Sequence, residues 1–579
     1  MLIIMKNIRF EFTCSKQVPL YAHLCNQYLN HDQLNITVGY QEQVYFIEAQ
    51  GELKELESLA DAIAQDFLIS VWLTDSRISL IDSRMGSHQL LPDAKVEQEF
   101  CQQCLPLFGD NQSPLFGDIS LKCDCCHGRT RLHEKHLGLS YTDIVSIADS
   151  LLRDGEAQLP NKDTITFSLS PLSNTGRDKL LICNPNTLNA QFHLKDHQIL
   201  ALSSIEKPLI TARPVNDHPK LDAPLYDICF AYNRAVVVLC EILRQKGIDW
   251  VYFHADNLSK PMVWIQSAWS KISSEIDNND PVVVLENAPE PLHDEASFNG
   301  VVARWKKGLI NCSQSDTEGT GGERSDAGIC ALHAGNLESG QFKNSAVIYF
   351  SQEQTGQIVT QDRDQKSELF FSLPALPTTG YDIYHHLEQS PQRGVVEKFK
   401  QKYPDDYLRL LDLNLASPTD NLQSLWAIAA IILGLPTKAL TKDALSDALI
   451  SCAMAHRGSN SPRIDYPLTK GEAHRSLNWC KTLGSLISFR LADDRDSYKL
   501  AFGMQDSLAD FLANWIEHLD LNIGVNSVIL AGSEFANEVL TQRLSLRLGK
   551  NFPLKINHRL DLDGNNLAVG GLYLKKRRQ

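Results

Sequence analysis

Four cysteines carry the clearest chemical signal in this chain. Cys101, Cys104, Cys123 and Cys126 are spaced C-x2-C-x18-C-x2-C. Each C-x2-C pair can place two thiolates on one turn, and the 18-residue loop can bring the second turn round to complete a tetrahedral S4 site. Zn(II) suits four thiolates and has no redox chemistry of its own. Cys125 and His127 lie close enough to take the place of Cys126. A closed four-ligand site leaves no position for water, so the expected zinc is structural. Five of the 14 cysteines fall between Cys101 and Cys126, and the others are scattered singly.

The 579 residues carry 55 Lys+Arg against 70 Asp+Glu, a net charge of −15. That balance argues against a chain whose main task is to bind nucleic acid, because phosphate backbones are held by clustered Lys and Arg. The one basic run, Lys575, Lys576, Arg577 and Arg578, reads as a solvated tail. With 43% hydrophobic and 22% charged residues, the composition is that of a globular protein and excludes disorder, collagen-like repeats and a coiled coil. At roughly 100–200 residues per domain, the length implies about three to five domains. Lys6 and Arg9 interrupt the apolar start, so no secretory signal is expected. The most apolar stretch, Leu422 to Leu435, has the length of a buried helix and falls short of a membrane span. A cytoplasmic protein with no membrane partner is the expectation, its cysteines reduced or metal-bound.

The elements that would position these residues fall into four regions: 1–90, 91–140, 141–285 and 286–579. In the first, NIRFEFTC and VYFIEAQG alternate as strands, PLYAHLCNQYLN and ELKELESLADAIAQ are helical, and SRISLID is a further strand. The implied order β-α-β-β-α-β is that of a ferredoxin-like split unit. The second region holds the cysteines. In the third, helices and strands alternate as in an α/β domain. The segment from Glu290 to Asn344, rich in Gly, Ser and Asp, reads as a linker or loop. The remainder reads as helical with late strands, VNSVILAGS running into a Gly turn before the helix EFANEVLTQRLSLRLG. The fold class is therefore multidomain, α/β and α+β.

A ferredoxin-like module, a C-x2-C-x18-C-x2-C finger and two further α/β regions, in that order, resemble the [NiFe] hydrogenase maturation carbamoyltransferases (HypF). The resemblance implies an acylphosphatase-like domain at 1–90, a zinc-finger module at 91–140, a YrdC-like domain at 141–285 and an actin/Hsp70-like ATPase-superfold domain at 286–579. In that family carbamoyl phosphate is cleaved, carbamate is adenylated with ATP, and the carbamoyl group passes to the C-terminal cysteine of a partner maturation protein. Zinc, ATP with Mg and such a partner are what the resemblance implies here.

The family motifs are kept unevenly. The acylphosphatase signature V-Q-G-V-G-F-R-P-F corresponds to Cys14–Tyr21, which lacks the glycines and the Arg. Lys16 is the one charge left there, and the family's Asn position falls on Gly39. One finger stands where the family has two. Ala201–Ile210 resembles L-L-S-S-P-E-R-P-I-V, and His254–Pro261 resembles T-S-G-N-L-S-x-x-P, which assigns Asn257 and Ser259 to the nucleotide. The basic K-x-R region is reduced to Arg177 and Lys179. Near the end, Val528–Asn537 resembles V-L-S-G-G-V-F-Q-N and assigns Gly532 and Asn537 to a nucleotide. Asp563, or Asp561 under another register, matches the metal-ligand Asp of D-G-G-I-A-L-G. Of the H-H-x-A-H ligands only His333 remains, and Ser351–Gly356 replaces the phosphate-binding turn D-G-T-G. The adjacent His385 and His386 read as surface residues. Three readings follow: a working carbamoyltransferase, a catalytically weakened relative acting as accessory or scaffold, and a zinc-stabilised nucleotide- or RNA-binding protein. The eroded motifs favour the second.

Overall fold

The computed structural model describes residues 6–31, 34–92, 94, 98–123, 126, 139–160, 164–172, 176–255, 261–273, 282–314, 326–339, 343–471, 473–492 and 496–575. Four sheets follow one another along the chain. In the first, strands Asn35–Gln41, Val44–Gly51, Lys6–Cys14 and Leu73–Leu80 lie side by side in that order, all antiparallel. Helices Pro19–Tyr28 and Leu53–Asp66 complete the expected β-α-β-β-α-β order. The second helix buries Leu56, Leu59 and Ile63, one stripe of a 3.6-residue period, and Glu52 and Glu55 close a capping box at its start.

A mixed nine-stranded sheet spans Glu156 to Lys271. One face shares a core with the first module, where Phe10, Tyr21 and Ile47 cluster with Leu180, Tyr226 and Ile228. The opposite face shares another with the cysteine segment and with helices Tyr141–Asp154 and Arg234–Gln245. Its strand Met262–Ile265, next to the edge strand Ala268–Lys271, contributes Val263 and Ile265 to the core of the C-terminal region.

Glu290–Asn344, expected to be a linker, contains regular structure on both sides of 315–325. Strands Glu295–Phe298, Val301–Lys306 and Leu309–Gln314 join Val282–Leu285 in a four-stranded antiparallel sheet, followed by helix Ala327–Ser339. The turn residues are the reason. Asn299-Gly300 and Lys307-Gly308 all have positive φ, the two-residue hairpin geometry that Gly supplies and Asn tolerates. A Gly-rich reading as loop mistakes tight hairpins for slack. The SQSDTEGTGGE run itself lies almost wholly outside the described residues.

The last sheet also departs from the expected late strands. Its centre comes early: Ser345–Tyr349, Gln357–Gln361 and Ser367–Ser372 precede the helices, and Ser527–Ala531 then inserts parallel to Ser345–Tyr349. All five residues of Ser345–Tyr349 and of Gln357–Gln361 are buried, so these strands show no alternation. Leu422–Ile432 is the buried helix expected there, started by the Asn421 side chain and buried at every residue. Among the described residues no helix is long and apolar enough to cross a membrane.

Inside that core, the Trp426 indole N–H donates to Glu534 Oε1 at 2.5 Å. Burial raises the Glu534 carboxyl from 4.5 to about 7 even though Trp426 and Asn537 oppose it. A carboxyl whose native pKa is raised favours folding below its unfolded value and loses that contribution as pH rises through the native one. Stability should therefore fall by roughly 3 kcal/mol between pH 4.5 and 7 on account of this group. In Glu534→Gln the decline should flatten by that amount in denaturant titrations across the window; an unchanged slope would refute the assignment.

Candidate functional site

The four predicted cysteines converge. Cys101 and Cys104 flank the turn that leads into the short helix Leu105–Phe108, and Cys123 and Cys126 return against them. The Sγ atoms of Cys101 and Cys123 are 3.6 Å apart, those of Cys104 and Cys126 3.6 Å, and those of Cys101 and Cys104 3.9 Å. Four thiolates held about 2.3 Å from one ion stand about 3.8 Å from each other, so the donor set fits a tetrahedral cation such as zinc. The hydrogen bond with Cys101 is the largest cause that pushes the Cys104 thiol up to about 11. Cys125 and His127 lie outside the described residues.

Arg234, which the sequence reading passed over, ties this module to the nine-stranded sheet. It is 1% exposed and begins helix Arg234–Gln245, whose N-cap is Asn233. Its guanidinium donates to the carbonyls of Glu99 and Ile119 at 2.6 and 3.1 Å, also to that of Leu121, and reaches Cys104 Sγ at 3.7 Å. It also lies 4.9 Å over the Phe108 ring. A buried cation of this kind compensates part of the charge of four thiolates. Nothing in the spacing of the cysteines points to a residue so far along the chain.

The first-module loop is built for packing. Pro19 starts a helix, Lys16 lies 4.7 Å over the Trp72 ring, and a side chain at position 39 would begin 2.1 Å from the Phe46 ring. Lys16 also faces the C-terminal region, where after burial its charge helps lower His558 to about 4.

In the nine-stranded sheet, Arg177 and Lys179 line an open cleft of about 560 Å³ with Thr166, Tyr252 and His254. Asn257 and Ser259 lie outside the described residues. Arg177 is engaged already. It holds both oxygens of Asp447 at 2.6 and 2.9 Å, Asp227 at 3.1 Å and Thr211 at 2.9 Å. Burial alone would lower its pKa, but the two carboxylates carry it well above the ordinary value. Arg177 also borders a smaller cavity, about 50 Å³, that Asn537 reaches from the C-terminal region.

Around Asp563 the chain closes on itself. Tyr349 donates to Oδ1 at 2.7 Å, while the Ser351 and Ser533 hydroxyls donate to Oδ2 at 2.6 Å each and the Ser533 amide at 3.1 Å. Ser351 in turn accepts the amides of Glu353 and Gln354, shaping the turn that replaces the family's phosphate loop. Gly532 has φ +107, and a Cβ there would stand 2.0 Å from the Phe350 carbonyl oxygen, so no other residue fits. Asn537 is buried and caps helix Glu538–Leu548 through Leu540 N. Asp561 is buried and accepts from Asn566 N at 3.2 Å. His333 lies on helix Ala327–Ser339, and burial lowers it to about 4. Oδ2 of Asp563 is crowded by three donors while Oδ1 accepts one, so a divalent cation would compete with them. With His333 alone left of the family's histidine run, this is a sparse donor set for such a cation. His385 and His386 are exposed on helix Gly380–Gln389, as expected.

The whole chain follows a known architecture. It aligns with the crystal structure of full-length HypF in the phosphate- and nucleotide-bound form at TM-score 0.60, over 99% of this chain and 98% of that one, with 11% identity. The T. kodakarensis HypF structure gives TM-score 0.54 over 97% of each chain, again with 11% identity. No family model matches the sequence. Protein HydE of Wolinella succinogenes is 30% identical over 402 residues, 67% of each chain. The chain belongs to the family of Protein HydE, and is a divergent protein of HypF-like fold.

Two substitutions separate ligand from support. Cys101→Ser should abolish the bound metal, about one zinc per chain in the wild type, by elemental analysis; unchanged stoichiometry would refute the S4 site. Arg234→Met should keep the metal but weaken its affinity about 10- to 100-fold in chelator competition. An affinity equal to wild type would show that Arg234 is not coupled to the thiolates.

Proposed function

We propose that this chain acts in [NiFe] hydrogenase maturation as a HypF-like protein whose carbamoyl transfer is weakened, serving as an accessory or scaffold to that machinery. The observation that carries this reading is the closure of Asp563 by Tyr349, Ser351 and Ser533. Donors of the protein itself already take up much of this carboxylate's acceptor capacity, so an incoming cation has to compete with them. The engagement of Arg177 by Asp447 and Asp227 supports it, since phosphoryl chemistry needs several aimed positive charges and Arg177's is already neutralised.

The division into an acylphosphatase-like module (1–90), zinc finger (91–140), YrdC-like domain (141–285) and carbamoyltransferase-like domain (286–579) belongs to this proposal. So do a structural zinc at Cys101, Cys104, Cys123 and Cys126, a cytoplasmic location, and a maturation partner ending in cysteine. If nucleotide binds, Lys179 in the open cleft, with Asn257 and Ser259, would hold it, ATP supplying the adenylyl group. Gly532 and Asn537 would then shape the receiving site from the C-terminal side.

The decisive assay mixes purified full-length protein with carbamoyl phosphate, ATP, Mg and a peptide ending in cysteine. Phosphate and pyrophosphate release should fall roughly 10²–10³-fold or more below that of an intact HypF, while the zinc-loaded protein still co-purifies with a hydrogenase maturation protein. Release at the intact enzyme's rate would overturn the proposal in favour of a working carbamoyltransferase. Absence of any maturation partner from the co-purification would instead favour the nucleotide- or RNA-binding reading.

A further inference from the structure

A second cleft, unrelated to the family motifs, opens between the edge of the nine-stranded sheet and the C-terminal helices. Strands Phe192–His193 and Ile210–Pro214 form one wall, and the ends of helices Lys442–Met454, Ser497–Ile523 and Glu538–Leu548 form the other. It encloses about 380 Å³, within the range of small-molecule sites.

Its lining is strongly positive in a chain of net charge −15. Two of the cations have carboxylate partners: Lys195 is paired with Glu538, and Arg543 with Asp506 at 2.7 Å. Two do not. Arg213 reaches only the amide oxygen of Asn216, at 2.8 Å, and among the described residues no carboxylate pairs with Arg213 or with the exposed Arg457. These guanidiniums are close enough to act on each other. Burial, then the nearby Arg457, lowers the pKa of Arg213, and after burial both arginines lower that of His193. His456 adds a further unsatisfied group: its ring packs 4.9 Å from Phe502, and its buried Nε2 has no hydrogen-bond partner.

Uncompensated cations held together beside an orphaned imidazole nitrogen leave an anion-shaped deficit. We propose that this cleft binds a phosphate-bearing small molecule, with Arg213 and Arg457 as charge-assisted donors to the phosphate. A single carboxylate would leave one guanidinium uncompensated, whereas a phosphate brings close to two charges and three acceptor oxygens to the same point. The inference does not rest on the carbamoyl-transfer reading, because Arg213, Arg457 and His456 lie outside every motif used for it.

Calorimetric titration of the full-length, zinc-loaded chain at low salt tests the site, with inorganic phosphate, pyrophosphate and AMP as probes. The wild type should bind at least one of them. Arg457→Gln, at an exposed position, should weaken that binding about tenfold or more, and Arg213→Gln/Arg457→Gln should abolish it, with metal content and thermal melting unchanged. AMP tighter than phosphate would assign the rest of the cleft to an organic moiety, and equal affinities would assign the phosphate alone as ligand. Failure of all three probes to bind, or binding unaltered in Arg457→Gln, would overturn the proposal.

Discussion

A charge removed from water has to find its partner where it is buried, and three joints of this chain meet that requirement with a side chain from the nine-stranded region. Glu206 accepts from Ser70 Oγ at 2.5 Å and Val71 N at 2.9 Å in the first module. Arg234 gathers three carbonyls of the cysteine module and approaches Cys104. Arg177 grips Asp447 of the C-terminal region with both arms. Removing one partner of such a pair leaves the other stranded, typically at a cost of about 3–5 kcal/mol, so these pairings add specificity to the apolar cores shared across the same joints.

The same requirement bears on chemistry. Groups that would serve a reaction must be satisfied by substrate in the bound state and by water when the site is empty. Here Asp563 and Arg177 already have partners within the protein itself. Fold and chemistry are separable: the HypF-like architecture extends over the whole chain, and what its residues can bind is set by their own neighbours. Arg213 and Arg457, without a carboxylate partner among the described residues, lie elsewhere, on a surface that none of the motifs marks.

Much of the local structure was legible because its determinants are local. The capping box at Glu52 and Glu55, the stripe Leu56, Leu59, Ile63 and the uninterrupted apolar run from Leu422 each name their element. Where neighbours in space decide, the reading failed. Ser345–Tyr349 and Gln357–Gln361 are buried on both faces, so period-2 alternation vanished and the central strands of the last sheet went unseen. Asn299-Gly300 and Lys307-Gly308 looked like slack because glycine content alone does not distinguish a hairpin turn from a linker.

The sequence by itself determined the four-cysteine ligand set, the β-α-β-β-α-β order of the first module and the retained and lost motif residues. Each depends on residue type and short spacing. Only the tertiary structure decided what those residues are free to do. Asp563 reads as a ligand until Tyr349, Ser351 and Ser533 close over it, and Arg177 reads as a phosphate contact until Asp447 arrives from 270 residues away. Partners this distant leave no periodicity or spacing to read, because they are brought together by the packing of whole sheets.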